Sequence, residues 1–518
     1  MLAAGAVACT NGRSSTGSDP QVDDRPQTDL PPDPQLRTDP FALGVASGDP
    51  LPDGVVVWTR LLVPPEVGPV PVRWTMSNSS GEVVAGDTFV TDPALGHSVH
   101  VDVVDLEPSS TYTYQFGAGG FESPIGRTRT APRTSDVIEG LRFAVMSCQG
   151  YQTGFYAAYR HLVDEGVDVG FFVGDYIYEL ESSLEARPHG LTPPRTLDEF
   201  RTFYELYKRD ADLQAAHAAF PWIVTWDDHE VEDNYASLEP GAVGRALDPQ
   251  ADTKFATKRA AAYQAWWEHM PVRLPPPRDG SLKIYRSFGW GDLATFAVLD
   301  NRQYRSPIPT GAGAGNLPRA AGGGPQLAAA FDESATYLGA EQETWVEGVL
   351  EQSSAVWNVL VQQTVMAEFD RAPDDPERGF SMDSWDGYVA PRQRLLGFVE
   401  RVGVDNLVSV GGDIHSSAVT DLKVDYRDPS ASVVGTEFVG PSITSLERLP
   451  DGYVEGGRSN GHVHYYDIER HGYLVGDMSP DALQIDYRYT SALTDPNATI
   501  ETGSSWTVAS GAPGAQPT

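Results

Sequence analysis

Between Phe41 and Gly119 apolar and polar positions alternate in short runs: GVVVWTRL, VRWTMSN, EVVAGDTFV, SVHVDVVDL and TYTYQFGAG. Each run has the length of a β-strand and is bounded by Gly, Pro, Asn or Asp, as the strands of a β-sandwich are. A small all-β module is therefore predicted over residues 39–135, ending in the polar stretch TAPRTSD. Beyond it the pattern changes. The apolar runs LRFAVMSC, VDVGFFVGDY, PWIVTWDDH, VWNVLVQQTV and NLVSVGGDIH are interspersed with amphipathic helical stretches. The clearest helix is TLDEFRTFYELYKRD, with Thr196 as N-cap, acids in its first turn and Lys208 near its end, as the helix dipole prefers. Strands that are apolar on both faces, separated by helices, predict an α/β (α+β) domain over residues 136–492: a mainly parallel or mixed sheet layered between helices. The Gly- and Ala-rich stretch 311–324 reads as a loop, and residues 493–518, with GSSWTVASGAPGAQPT, as a mobile tail.

A length of 518 residues exceeds one compact core and agrees with two domains plus tails. The formal net charge of −35 excludes more than it suggests. Such a field repels nucleic acid, so a nucleic-acid-binding role is not expected. It also repels phosphate esters, so a substrate of that class requires local positive charge, most simply from bound cations. The two cysteines, Cys9 and Cys148, cannot build a disulfide framework. Cys9 ends the run MLAAGAVAC, which resembles the tail of a bacterial lipoprotein signal. Residues 1–38 are accordingly expected to be a signal remnant and flexible tether. Export to the cell surface or the medium follows, with lipid attachment through Cys9 as one route; the plainer alternative is an unstructured tail with an incidental cysteine.

Four polar clusters fall at the ends of apolar strands: Ser147-Cys148-Gln149, Gly174-Asp175-Tyr176-Ile177-Tyr178-Glu179, Trp226-Asp227-Asp228-His229-Glu230 and Gly412-Asp413-Ile414-His415. Open α/β sheets place their sites at such ends. Singly each has an ordinary explanation, since an Asp there caps helices and a buried Cys is usually a small hydrophobe. Together they bring carboxylates, imidazoles, a phenol and a thiol to one sheet edge, where they would be costly to bury unpaired. A metal cluster is the simplest arrangement that satisfies them all.

The order GDxxY, then an Asp-His pair, then GxxH is similar to the metallophosphoesterase superfamily, including purple acid phosphatases. More closely, FALGVASGDPLPDGVVVWTRL, AVMSCQGYQTGFYAAYRHL, VGDYIYE, AAHAAFPWIVTWDDHEVEDNYA, LDNRQYR and GGDIHSSAVTDL resemble PhoD-type alkaline phosphatases over about residues 40–490. That resemblance implies a metallophosphoesterase-like catalytic domain behind a fibronectin type III-like sandwich. It implies an Fe(3+) site at Cys148, Asp175, Tyr178 and His415. It further implies Asp175 as the bridge to a second cation held with Asp228 and Asp413. Carboxylates there favour Ca(2+), one or two ions, over the imidazole-bound metals of purple acid phosphatases. Asp227, Asn234, Gln362 and Arg302 are further candidate metal or phosphate contacts, and Arg305 shares a segment with Arg302. His229 would hydrogen-bond the phosphoryl group or protonate the leaving alkoxide.

The expected activity is a secreted, metal-dependent phosphoester hydrolase. Cations would lower the pKa of water to make hydroxide, which would attack small phosphate monoesters, with diesters as a further substrate class, in line. A diesterase acting on teichoic acid or phospholipid head groups would use the same ligands. A reading of another class is a non-catalytic surface-binding protein with a dead hydrolase domain, which predicts a lost ligand. The expected assembly state is a monomer.

Overall fold

The apolar runs pair into two large sheets, in a computed structural model that describes residues 30–518 except 33, 65, 181–185, 249, 310–327, 376–378, 448, 450 and 451. Cys9 and the 311–324 stretch lie outside the described residues. In the first sheet, of ten strands, Leu141–Met146, Val169–Phe172 and Trp222–Val224 run parallel at the centre. In the second, of seven, Ala294–Val298, Trp357–Val361, Leu407–Gly411 and Val433–Val439 run parallel. Antiparallel strands complete the outer positions of both, so the sheets are mixed.

The pleat decides what each strand does. Along Leu141–Met146, Phe143 and Val145 point to one face and Ala144 and Met146 to the other. Phe143, Val145 and Phe171 enter a core shared with Phe296, Val359, Val361, Val408 and Val410 of the second sheet. The rings of Phe171 and Phe296 lie 4.8 Å apart across it. On the opposite face Ala144, Met146, Phe172 and Val224 pack against Tyr159, Leu162, Tyr204 and Trp266 from the helical segments. The second sheet is covered likewise, with Leu360 and Leu407 against Val346, Leu350, Leu395 and Val399. Two sheets are thus stacked face to face with helices outside them, the α/β arrangement expected of strands apolar on both faces. The helix Leu197–Lys208 starts at Thr196 in a capping box with Glu199, as its sequence predicts.

The N-terminal strands form a sandwich, with Val55, Val57, Val99 and Val101 facing Val72, Met76, Tyr112, Tyr114 and Phe116. Its boundary with the rest is less separate than the sequence pattern suggests. Val45–Leu51, Gly54–Arg60 and Ser98–Val103 extend the ten-stranded sheet, joined through the parallel pairing of Gly48 with Trp222. Only glycine fits that joint. A Cβ on Gly48 would lie 2.1 Å from the Pro271 carbonyl oxygen and 2.6 Å from that of Trp222. Beside it the Trp58 Nε1–H and the Ser98 hydroxyl both donate to the Glu268 carbonyl.

The reading of residues 493–518 as a mobile tail is corrected by the fold. Ile500–Ala509 and Ala512–Pro517 form a hairpin on the edge of the ten-stranded sheet, paired to Ala482–Thr490. Trp506, Val508 and Ala515 join the inter-sheet core. The Gly, Ser and Pro content of this stretch masks a strand pattern in which Trp506 and Val508 alternate with polar neighbours, and Gly511, at φ 78°, sits in the turn.

Substituting Gly48→Ala forces the two backbones of the joint apart, and overpacking of this kind costs about 1–3 kcal/mol. Urea or thermal unfolding beside the wild type measures it; an unchanged transition would show that the joint is not tightly fitted.

Candidate active site

Each site strand ends by turning sharply, and the residues at the turns are the polar ones. Cys148, Asp175, Asn234, Asp413 and His415 all have positive φ, between 50° and 67°. Such left-handed conformations cost non-glycine residues about 1–2 kcal/mol each, so the surrounding structure must enforce them. Part of that enforcement is a lattice of short bonds. The Cys148 N–H donates to the Gly174 carbonyl at 3.0 Å and the Gln149 N–H to that of Asp175 at 3.1 Å. The Glu230 carboxylate accepts from the backbone N–H groups of Asp175, Tyr176 and Asp227 at 2.7–3.0 Å. It therefore ties the Asp175 loop to the Asp228 loop. Gly174 lets the two loops meet, since a Cβ there would be 2.4 Å from that of Asp227.

Three overlapping groups of metal-type donors result, each with its atoms within 4.8 Å of one another: Cys148, Asp175 and His415; Asp175, Asp228 and His229; Asp227, Asp228 and Asp413. Tyr178 belongs with the first. Its hydroxyl donates to Asp175 Oδ2 at 2.8 Å and lies 2.7 Å from His415 Nε2. His415 Nδ1 faces the Leu446 carbonyl at 3.1 Å, a bond that turns Nε2 toward the cluster. Asn234 is anchored by its backbone N–H, which donates to Asp228 Oδ2 at 2.5 Å. Asp175, Tyr178, Asp228, His229, Asn234, Asp413 and His415 all line a cavity of about 350 Å³, and Cys148 lies buried beneath it.

The electrostatics are those of acids crowded out of water. Burial, then the Asp175 charge, pushes the Cys148 thiol well up, and the same two causes raise the Tyr178 phenol. Burial pushes Asp413 up to about 8 and Asp233 to about 7, in each case with neighbouring carboxylates adding to it. Burial also opposes ionisation of Asp228, but Arg302 and His229 outweigh it and bring that carboxyl down to about 2. Asp227 Oδ2 is buried with no hydrogen-bond partner. A set of carboxylates that cannot all ionise together, with an unpartnered oxygen among them, is what bound cations would relieve. The donors present fit them.

Two candidates from the sequence take other roles. Gln362 is fully buried: its amide oxygen accepts from Asn301 and Trp385, and its amide nitrogen donates to Ser409 and Glu437. No capacity is left for a metal. Arg302 is spent on carboxylates and does not line the cavity. Its guanidinium donates to Asp227, to Asp383 at 2.6 Å and to Asp413 at 3.0 Å, and it lies behind the acids, fully buried. Arg305 is likewise spent on Asp383 and the Tyr235 carbonyl. Four contributors were given no role by the sequence: Glu230, Asp383, Asp233 and Glu179, whose carboxylate sits 2.7 Å from His229 Nδ1. Glu179 and Glu230 close two of the strand-end clusters, and that membership was their only signal.

The profile of the PhoD-like phosphatase family matches residues 143–487, and that of the PhoD-like phosphatase N-terminal domain matches residues 27–132. The chain is 40% identical over 495 residues to alkaline phosphatase D of Bacillus subtilis strain 168, covering 91% of this chain and 81% of that protein. A solved structure of PhoD superimposes with a TM-score of 0.86 at 38% identity, over 93% of each chain. Strand-end acids, cavity and relatives therefore agree: the chain belongs to the PhoD-like phosphatase family, and it is a phosphatase.

Proposed function

We propose that this phosphatase is a metal-dependent phosphoester hydrolase of the alkaline phosphatase D kind, working outside the cell or at its surface. The observation that carries the metal dependence is the meeting of three donor groups at the floor of one cavity. Cys148, Asp175, Tyr178 and His415 would hold Fe(3+), for which thiolate and phenolate are strong ligands. Asp175, Asp228 and Asp413, with Asp227 beside them, would hold Ca(2+), whose preference is for oxygen. Asn234, in the same cavity lining, would be a contact for a second Ca(2+). Cations bound there supply positive charge for the phosphoryl oxygens and acidify water. The layered sheets and outer helices support the metallophosphoesterase reading of the fold, and the sandwich before them supports the fibronectin type III-like one.

The remaining work falls to the chain's own groups. His229 packs its ring 4.3 Å from that of Tyr178, and its Nδ1 is fixed by Glu179 at 2.7 Å. Burial opposes its charge, but Glu179, then Asp228 and Asp175, outweigh burial and hold it protonated well above the usual histidine range. Nε2 is then the atom that gives a proton to the leaving alkoxide. The six side chains expected as ligands converge on this one cavity, which supports the catalytic reading over the dead-hydrolase one. Among the described residues no helix is long and apolar enough to cross a membrane.

Three measurements test this. Elemental analysis of the purified protein is expected to find iron and calcium, and Asp175→Asn to lose both together with release of p-nitrophenol from p-nitrophenyl phosphate; retained activity would sink the bridging role. Glu179→Gln is expected to lower kcat roughly 10- to 100-fold through a loosened His229 while iron and calcium stay bound; a kcat equal to wild type would remove Glu179 from the mechanism. Chelation is expected to lower the unfolding midpoint, because ligands bound only by the native state stabilise it by about 2.7 kcal/mol at a hundredfold excess over Kd. Re-addition of calcium should restore part of the loss.

A further inference from the structure

The cavity wall carries one basic side chain that none of the roles above uses. Arg371 lines the same cavity as the metal-type donors and is only 4% exposed. Its Nε is buried without a hydrogen-bond partner. The Nε of Arg305 and of Arg392 also lacks a partner; what sets Arg371 apart is the absence of a paired carboxylate. Arg302, Arg305 and Arg392 are equally buried, and each closes on a carboxylate: Asp383 at 2.6 Å for the first two and Asp386 at 2.8 Å for the third. No described carboxylate lies within ion-pair distance of Arg371; the Phe369 ring, 5.7 Å away, and Tyr466 stand against it, and Glu447, Asp386 and Asp413 act on it only by their charge. A guanidinium cannot shed its proton to escape burial, so an unpaired one at a cavity wall calls for an anion from outside.

The backbone holds it there. The Arg371 N–H donates to the Gly379 carbonyl at 2.9 Å. Its own carbonyl is so close to Gly456 that a Cβ on that residue would lie 2.0 Å from the oxygen. Around the cavity are Asp175, Asp228, Asp233, Asp383, Asp413 and Glu447. Arg371 is the one arginine or lysine among the described residues of the lining.

We propose that Arg371 binds the substrate's phosphoryl group, hydrogen-bonding the non-bridging oxygen that a dianionic monoester has and a diester lacks. A monoester presents three such oxygens and two negative charges; a diester presents two oxygens and one charge. A planar fork of N–H donors recognises phosphate oxygens with geometry as well as charge. Arg371 thereby biases the site toward monoesters, the preference that ligand identities alone leave open. The proposal rests on the phosphoester-hydrolase reading of this cavity.

The test compares metal-loaded wild type, Arg371→Gln and Arg371→Lys on p-nitrophenyl phosphate and bis(p-nitrophenyl) phosphate, with inorganic phosphate as competitive inhibitor. For Arg371→Gln, KM for the monoester and Ki for phosphate are expected to rise roughly 10- to 100-fold, the range of a charged hydrogen bond. KM for the diester should change much less, iron and calcium content should match wild type, and Arg371→Lys should recover part of the loss. Equal losses on both esters would overturn the assignment of the third oxygen, and unchanged KM and Ki would overturn any contact with phosphate. Losses accompanied by missing metal or a lowered unfolding midpoint in both variants would make Arg371 a structural residue and also overturn it. Wild type that neither hydrolyses the monoester nor binds phosphate would bring down the reading of the cavity itself, a result separate from any effect of the substitutions.

Discussion

Mutual repulsion among buried carboxylates is the constraint around which this molecule is arranged. Asp175, Asp227, Asp228, Asp383 and Asp413 meet where the ends of two stacked sheets come together; Arg302 and Arg305 pair with Asp227, Asp228, Asp383 and Asp413, and His229 adds a third positive charge beside Asp228 and Asp175. Removing such charges from water costs several kcal/mol apiece unless they are paired. Arg302 is placed behind the acids and reaches Asp227, Asp383 and Asp413. It gives the cluster a fixed back wall and leaves its front open. The open side is where cations and substrate are wanted.

Holding acids against their own repulsion requires rigid supports, and the sheets provide them. Phe143, Phe171 and Phe296 fill the space between the sheets, so the strand ends cannot splay. Glu230 then joins two loops by three backbone hydrogen bonds. Within that frame five site residues are kept in left-handed conformations. Strain of this kind persists only where the surroundings over-determine it, and it gathers at functional sites.

The layered core was legible because continuous apolar runs admit little else, and the acids were legible because they stand at the ends of those runs. What escaped the sequence depends on direction. Arg302 lies in the same segment whether it points at substrate or at carboxylates, and only the packed structure places its guanidinium against Asp383 and Asp413. Gln362 follows an apolar strand as a ligand would, yet its amide is consumed by Asn301, Trp385, Ser409 and Glu437. Arg371 sits in no motif at all. The final hairpin was missed for a different reason: its Gly, Ser and Pro content outweighed the alternation of Trp506 and Val508, which only matters once a sheet edge is there to receive it.

That hairpin also bears on how the chain acquires its structure. One ten-stranded sheet contains Val45–Leu51 near its start and Ala512–Pro517 near its end, with Leu141–Met146 and Trp222–Val224 between them. Pairings that bridge such distances in sequence close slowly, because the intervening chain must be ordered before they are rewarded. The floor that carries Cys148 and Asp175 thus depends on partners far along the chain, since Leu141–Met146 pairs directly with Gly472–Met478.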